Sequence, residues 1–111
     1  MAAEGGFGPT KDTAVGEIVS ILLSGSEPDG LKLKADRDGF AAVIVGFERI
    51  KGKFSTIQRH GGIHSNDVLY QINESNLENM PYGDVITMLR DRNLLRKQLK
   101  FINNSEYYAR K

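Results

Sequence analysis

The sequence predicts an α+β domain of antiparallel strands with two helices. Three observations indicate this: short apolar segments with period-two alternation, turns rich in glycine, asparagine and aspartate between them, and a helical i, i+3, i+4 stripe that begins at Val85. A chain of 111 residues, 40% of them hydrophobic, is long enough for one domain with a modest core. The predicted order is strand, strand, strand, short helix, strand, helix, strand.

The first half of the chain predicts three strands. Residues 17–23 are apolar and rich in β-branched side chains, and the turn formers of residues 24–30 end that strand. Residues 31–34 alternate apolar and charged side chains, as a strand with one buried face does. Residues 40–47 are almost wholly apolar, which favours a strand covered on both faces. The turn at residues 36–39 joins these two strands into a hairpin.

The middle of the chain is less regular. Phe54 and Ile57 lie three residues apart in a polar segment, which indicates a short helix ending at Gly61-Gly62, and both side chains are interpreted as core. Residues 67–72 then predict a strand, and residues 73–76 a turn that closes it.

The clearest helix begins near Pro81, where Val85, Met88 and Leu89 form an apolar stripe that runs to about Arg90. Residues 96–102 alternate again and predict the last strand. The predicted core consists of the residues on the apolar phase of their elements. These are Leu31, Leu33, Val43, Val45, Leu69, Ile72, Val85, Leu89, Leu99 and Phe101.

Composition excludes several classes of protein. Fifteen basic and fourteen acidic residues give a net charge of +1, which provides no overall field to recruit nucleic acid. The absence of cysteine favours a reducing, cytoplasmic location, and the apolar runs are far shorter than the roughly 18 residues of a membrane span. Residues 1–16, with four glycines and little apolar content, predict a flexible arm.

Residues 62–73 (GIHSNDVLYQIN) resemble the signature of the PDZ domain family, in which a glycine-apolar turn leads to Gly-Asp, Val-Leu and Ile-Asn-Gly. Asn66 and Glu74 replace two of its glycines. Residues 79–90 look like the family's second helix, and residues 97–102 like its last strand. Residues 28–31 (PDGL) occupy the place of its Gly-Leu-Gly-Phe carboxylate-binding loop.

The resemblance covers about four-fifths of the chain and implies a eukaryotic-type PDZ domain with a divergent carboxylate-binding loop. The expected fold is a small, partly open antiparallel β-barrel or sandwich of five to six strands with two helices. It would occupy residues 17–103, between the arm at residues 1–16 and a C-terminal tail at residues 104–111.

A PDZ domain binds an extended peptide, usually the C-terminus of a partner, by strand addition between its second strand and second helix. Tyr82 and Ile86 are expected to face this groove, and Tyr82 to favour an acidic or apolar ligand side chain over a hydroxyl. The residues implied to bind peptide are Asp29, Gly30, Leu31, Lys32, Leu33, Lys34, Tyr82, Ile86 and Leu89.

The loop departs from the family pattern in its charge. Asp29 stands where an apolar residue is usual, and residues 24–27 offer no basic side chain. A shifted register, with residues 30–33 as the cradle, would bring Lys32 near a ligand carboxylate. The ligand is therefore a C-terminal or an internal peptide, and an architectural or docking subunit with a degenerate groove stays open as an alternative.

A third alternative is a lipid-surface adaptor. Membrane contact would then use a basic patch that otherwise reads as a solvated helix end and strand face. Its members are Arg90, Arg92, Arg96, Lys97 and Lys100.

No enzymatic activity, metal or cofactor is expected. His64, Ser65 and Asp67 lie close in sequence, but a nucleophilic triad is built by converging separate elements. Two histidines without cysteine or spaced carboxylate partners make a poor metal-ligand set.

Overall fold

The computed structural model describes residues 18–24 and 27–110, which form a six-stranded antiparallel sheet and three helices. The strands are β1 (Ile18–Ser24), β2 (Leu31–Lys34), β3 (Ala42–Phe47), β4 (Val68–Ile72), β5 (Ser75–Asn76) and β6 (Arg96–Ile102). The helices are α1 (Thr56–His60), α2 (Tyr82–Leu89) and α3 (Asn104–Ala109). The α+β class is confirmed, and the predicted elements occur in the predicted order with β5 and α3 in addition. The predicted arm at residues 1–16 lies outside the described residues.

The strands lie in the order β1-β6-β4-β3-β2, and the short β5 pairs with β4. Ile21 pairs with Leu99 between β1 and β6, and Leu33 pairs with Ile44 between β2 and β3. Within the described residues β1 and β2 are the two ends of the sheet, which is not closed into a barrel. None of the described helices is long and apolar enough to cross a membrane.

The core contains most of the residues that lie on the apolar phase of their strand or helix. Eight of the ten predicted core residues are at most 3% exposed, and Leu33 is half-buried. Val45 is 53% exposed, so its placement in the core is wrong. Val45 follows the fully buried Ile44 and points to the opposite face of β3, which is covered at Val43 but not at Val45.

The two predicted helices form close to their expected limits. The Ser55 side chain caps α1 by accepting from the Gln58 N–H at 3.2 Å, and Gly61 ends it with a φ of +80°. Ile57 is buried in α1, whereas Phe54 precedes the helix and is 48% exposed, so the interpretation of Phe54 as core is wrong.

The third helix, α3, was not expected, and it lies within the predicted C-terminal tail. The Asn103 side chain caps it by accepting from the N–H groups of Ser105 and Glu106 at 2.8 and 3.3 Å. Tyr107 is fully buried, and its hydroxyl donates to Asp36 Oδ2 at 2.6 Å. Residues 104–109 are thereby fastened to the turn between β2 and β3.

The segment predicted as a turn at residues 73–76 also contains the two-residue strand β5. Asn73 adopts a φ of +53°, which asparagine tolerates better than most residues, and the chain folds back so that Gln71 pairs with Asn76. The turn prediction is correct for Asn73 and Glu74, and the pairing begins directly after them.

Candidate functional site

The outer edge of β2 faces α2 instead of another strand. In an antiparallel strand the N–H and C=O groups of one residue point to the same side, and alternate residues point to opposite sides. Tyr82 Oη donates to the Leu33 carbonyl at 3.0 Å, and Arg90 Nη2 donates to the Leu31 carbonyl at 3.4 Å. Both carbonyls on this edge are therefore held by side chains from the two ends of α2.

The loop before β2 ends in a turn at Gly30. Gly30 has a φ of +68°, and a Cβ there would lie 2.5 Å from the Ser55 Cβ, so both the backbone conformation and the space select glycine. The Gly30 carbonyl accepts from the Glu48 N–H at 2.8 Å. Leu31 and Lys32 already belong to β2, so the turn lies at residues 28–30 and the shifted register with Lys32 in the loop does not form.

Asp29 contacts both β2 and the C-terminal end of α2. It is only 8% exposed, and its Oδ1 accepts from the Leu31 N–H at 2.8 Å. Its Oδ2 lies 3.3 Å from Arg90 Nε. The groove between β2 and α2 thus ends at a carboxylate that has its own counter-cation. Arg90 offsets the negative charge of Asp29, which would otherwise repel an anionic ligand.

The apolar wall of the groove is partly closed. Leu31 and Leu89 are each 1% exposed, whereas Leu33 and Ile86 are half-buried and keep some accessible surface. The side chains of Lys32 and Lys34 alternate with this wall and are exposed. The structure therefore places all nine predicted peptide-binding residues around β2, its preceding loop and α2.

Lys97 is buried in this region, whereas the sequence predicts it in an exposed basic patch. It is 3% exposed, and its Nζ donates to the Leu89 carbonyl at the end of α2 at 2.6 Å. The signal was present, because Lys97 lies on the same alternating phase as Leu99 and Phe101. A helix C-terminus is a favourable place for a cation.

The predicted basic patch does not form one surface. Arg90, Arg92 and Lys97 line the same cavity at the end of the groove. Arg96 and Lys100 fall on the other alternating phase of β6, and hence on the opposite face of the sheet from Lys97.

Two cavities meet at the loop before β2. The first, of about 390 Å³, adjoins Asp29, Gly30, Leu89 and Arg90. The second, of about 540 Å³, lies beyond it toward α1 and was not predicted. The residues shared by the two linings are Glu27, Pro28 and Ile50.

The contact between His64 and Asp67 is interpreted as structural. The His64 N–H donates to Asp67 Oδ2 at 2.9 Å, and His64 Nδ1 lies 3.8 Å from the same oxygen, which describes a tight turn before β4. Among residues 18–24 and 27–110, no group of three or more histidine, aspartate or glutamate side chains is placed to hold a metal. The sequence matches no protein-family model and no curated protein.

Proposed function

We propose that this chain is a PDZ-like interaction module, which serves as a scaffold or adaptor by binding an extended peptide of a partner protein. The peptide adds as a further strand to the outer edge of β2, beside α2. The observation that carries the proposal is that β2 ends the sheet, with the Leu31 and Leu33 carbonyls directed toward a helix. Backbone groups on such an edge are a template for strand addition.

The resemblance gives independent support. The element order along the chain is the one that it implies, and Gly30 occupies the loop before the binding strand in a conformation that selects glycine. Asn66 stands where the family has a glycine, and its φ of +76° lies in the left-handed region that asparagine tolerates. The substitution of that glycine therefore leaves the turn intact.

Ligand binding on this edge requires an exchange of hydrogen bonds. A peptide N–H that pairs with the Leu33 carbonyl replaces the Tyr82 hydroxyl, which is then free to contact a ligand side chain. The half-buried Leu33 and Ile86 offer the apolar surface against which alternate ligand side chains pack. Affinity comes from the main chain, and selectivity from Tyr82 and this surface.

The test begins with random heptapeptides displayed on phage and selected against the full chain. Selected peptides are then synthesised with single N-methyl groups at successive positions. Strand addition predicts that methylation at every second residue weakens binding at least tenfold, while methylation at the positions between leaves it unchanged. Loss at every position, or at none, contradicts strand addition.

One observation favours a second candidate, the docking subunit with a degenerate groove. The side chains of Tyr82 and Arg90 already satisfy both outer carbonyls of β2, so these two acceptors have partners without a ligand. Failure of all peptides to bind, together with self-association or co-purification of one stable partner, would favour this candidate.

A further inference from the structure

The end of the groove already contains a carboxylate. Asp29 Oδ1 holds the Leu31 N–H, and Asp29 Oδ2 holds Arg90. These are the donor and the cation that a ligand carboxylate arriving at the start of β2 would need. A terminal carboxylate at this position would therefore have to displace a nearly buried side chain of its own charge.

The groove does not stop at this loop. The larger cavity continues past Pro28 and Ile50, which belong to both cavity linings. Its charged lining consists of Arg49, Lys53 and Arg59 against the single acid Glu27.

The charges of this cavity leave it attractive to anions. The Glu27 carboxylate is held by the Thr56 hydroxyl, whereas Arg49 and Lys53 are exposed. The Arg49 guanidinium lies 5.0 Å from the centre of the Phe54 ring, so an exposed aromatic and a cation share the cavity wall. An acidic side chain on an extended chain fits this lining.

From these two features, and resting on the proposed function, we infer that the ligand is an internal segment of a partner protein, followed directly by acidic residues. The paired part of the segment lies along β2. Asp29 supplies the carboxylate at the end of the groove, and the chain passes over Pro28 into the cavity of Arg49, Lys53 and Arg59. The ligand is thus an acidic peptide that runs through the site and does not end in it.

Two phage libraries of random decapeptides test the inference on the full chain, one displayed with a free C-terminus and one flanked by carrier sequence on both sides. We expect the flanked library to enrich aspartate and glutamate within about three positions after the paired part. Synthetic versions should bind equally, within twofold, as the C-terminal acid and as the amide. A preference of tenfold or more for the free acid would overturn the inference while leaving the proposed function in place.

A matched pair of lysines tests the cavity. Lys53 lines it, whereas Lys51 is exposed on the same loop outside the lining. Lys53→Gln should weaken binding of the selected acidic peptides by roughly two- to fivefold, with the larger loss at low salt, and Lys51→Gln should leave it unchanged. Equal effects of the two substitutions would contradict the placement of the acidic residues.

Asp29→Asn tests the groove end. Asparagine keeps an oxygen that can accept from the Leu31 N–H but removes the charge that pairs with Arg90. We expect the ratio of acid to amide binding to rise at least threefold in this variant, because Arg90 becomes available to a terminal carboxylate. An unchanged ratio would refute the role of Asp29. Absence of any selected peptide from both libraries would overturn the inference and the proposed function together.

Discussion

Tyr107 shows how much one side chain contributes to the position of a helix. Its ring is fully buried and its hydroxyl donates to Asp36 Oδ2, while Asp36 Oδ1 accepts from the N–H groups of Asp38 and Phe40. Asp36 therefore holds the turn between β2 and β3 and the α3 helix at once.

Tyr107→Phe removes this hydroxyl and leaves a buried carboxylate oxygen with one donor fewer. We expect the free energy of unfolding to fall by about 1.5–3 kcal/mol, as for a hydrogen bond to a charged group. Tyr108→Phe is the control, because the Tyr108 hydroxyl accepts from the exposed N–H of Arg37 and should contribute less. Urea unfolding of both variants measures the difference, and equal losses would contradict the assignment.

The same phenol makes stability depend on alkaline pH. Burial, and then the hydrogen bond and charge of Asp36, raise the pKa of Tyr107 well above its ordinary value near 10. The unfolded chain therefore loses this proton first, so the stability from the neutral phenol is fully present below pH 10 and declines as the pH rises above it. Thermal unfolding between pH 8 and pH 11 should show a steeper decline for the wild type than for Tyr107→Phe. Parallel curves would rule out this contribution.

Leu69 and Val45 form a second matched comparison at this scale. Leu69 is 0% exposed, whereas Val45 is 53% exposed at the far end of β3. Leu69→Ala should cost roughly 2–5 kcal/mol, and Val45→Ala about half a kcal/mol or less. Chemical denaturation measures both. A loss below half a kcal/mol at Leu69 would contradict the register of β4.

At the scale of elements, the periodicity of apolar residues predicted the strands and the helix whose apolar faces pack in the core. β2 and β6 were predicted at their observed limits because apolar and polar side chains alternate, along all of β2 and from Leu99 to Phe101 in β6. α2 was predicted because Val85 and Leu89 share one buried face. The apolar composition of β3 predicted cover on both faces along its whole length. The sequence has no local signal that this second face is covered at Val43 and uncovered at Val45, so Val45 was placed wrongly.

Two short elements escaped prediction for a different reason. α3 has six residues and one fully buried side chain, Tyr107, so it presents no apolar repeat. Its signal was the cap formed by Asn103, with Glu106 three residues later. β5 has two residues and depends on the turn at Asn73.

The site was predicted in the same uneven way. The resemblance supplied the nine residues that are proposed to bind peptide, whereas the Asp29–Arg90 ion pair joins residues 61 positions apart that only the fold brings together.

Removal of α3 tests its contribution to the domain. A chain that ends at Asn103 loses the buried Tyr107 ring, for which we expect at least the roughly 3–5 kcal/mol typical of deleting a buried aromatic side chain. A chain that lacks only residue 111 keeps α3 and its capping residue Arg110, and serves as the control. Calorimetric melting compares the two, and an unchanged melting temperature in the shorter chain would show that α3 adds no stability.

At the scale of the whole molecule, the sheet order leaves β1 and β2 at the two ends of the described sheet. β4 lies between β6 and β3 and has no free edge, whereas β2 lies at one end of the sheet beside α2. The loop before β2, the C-terminal end of α2 and the buried Lys97 of β6 converge there. The candidate site is thus assembled from three separated parts of the chain around one sheet end.

The hydrogen bonds of Tyr82 and Arg90 to β2 have a thermal consequence. A ligand that replaces them keeps both carbonyls paired, so the apolar surface buried against Leu33 and Ile86 should dominate the heat-capacity change of binding. Titration calorimetry at several temperatures should then give a negative heat-capacity change, and Tyr82→Phe should bind with a more favourable enthalpy because it has no donor to release. A heat-capacity change near zero would contradict this expectation. Because the expected heat-capacity change is negative, each degree of warming should make complex formation more exothermic.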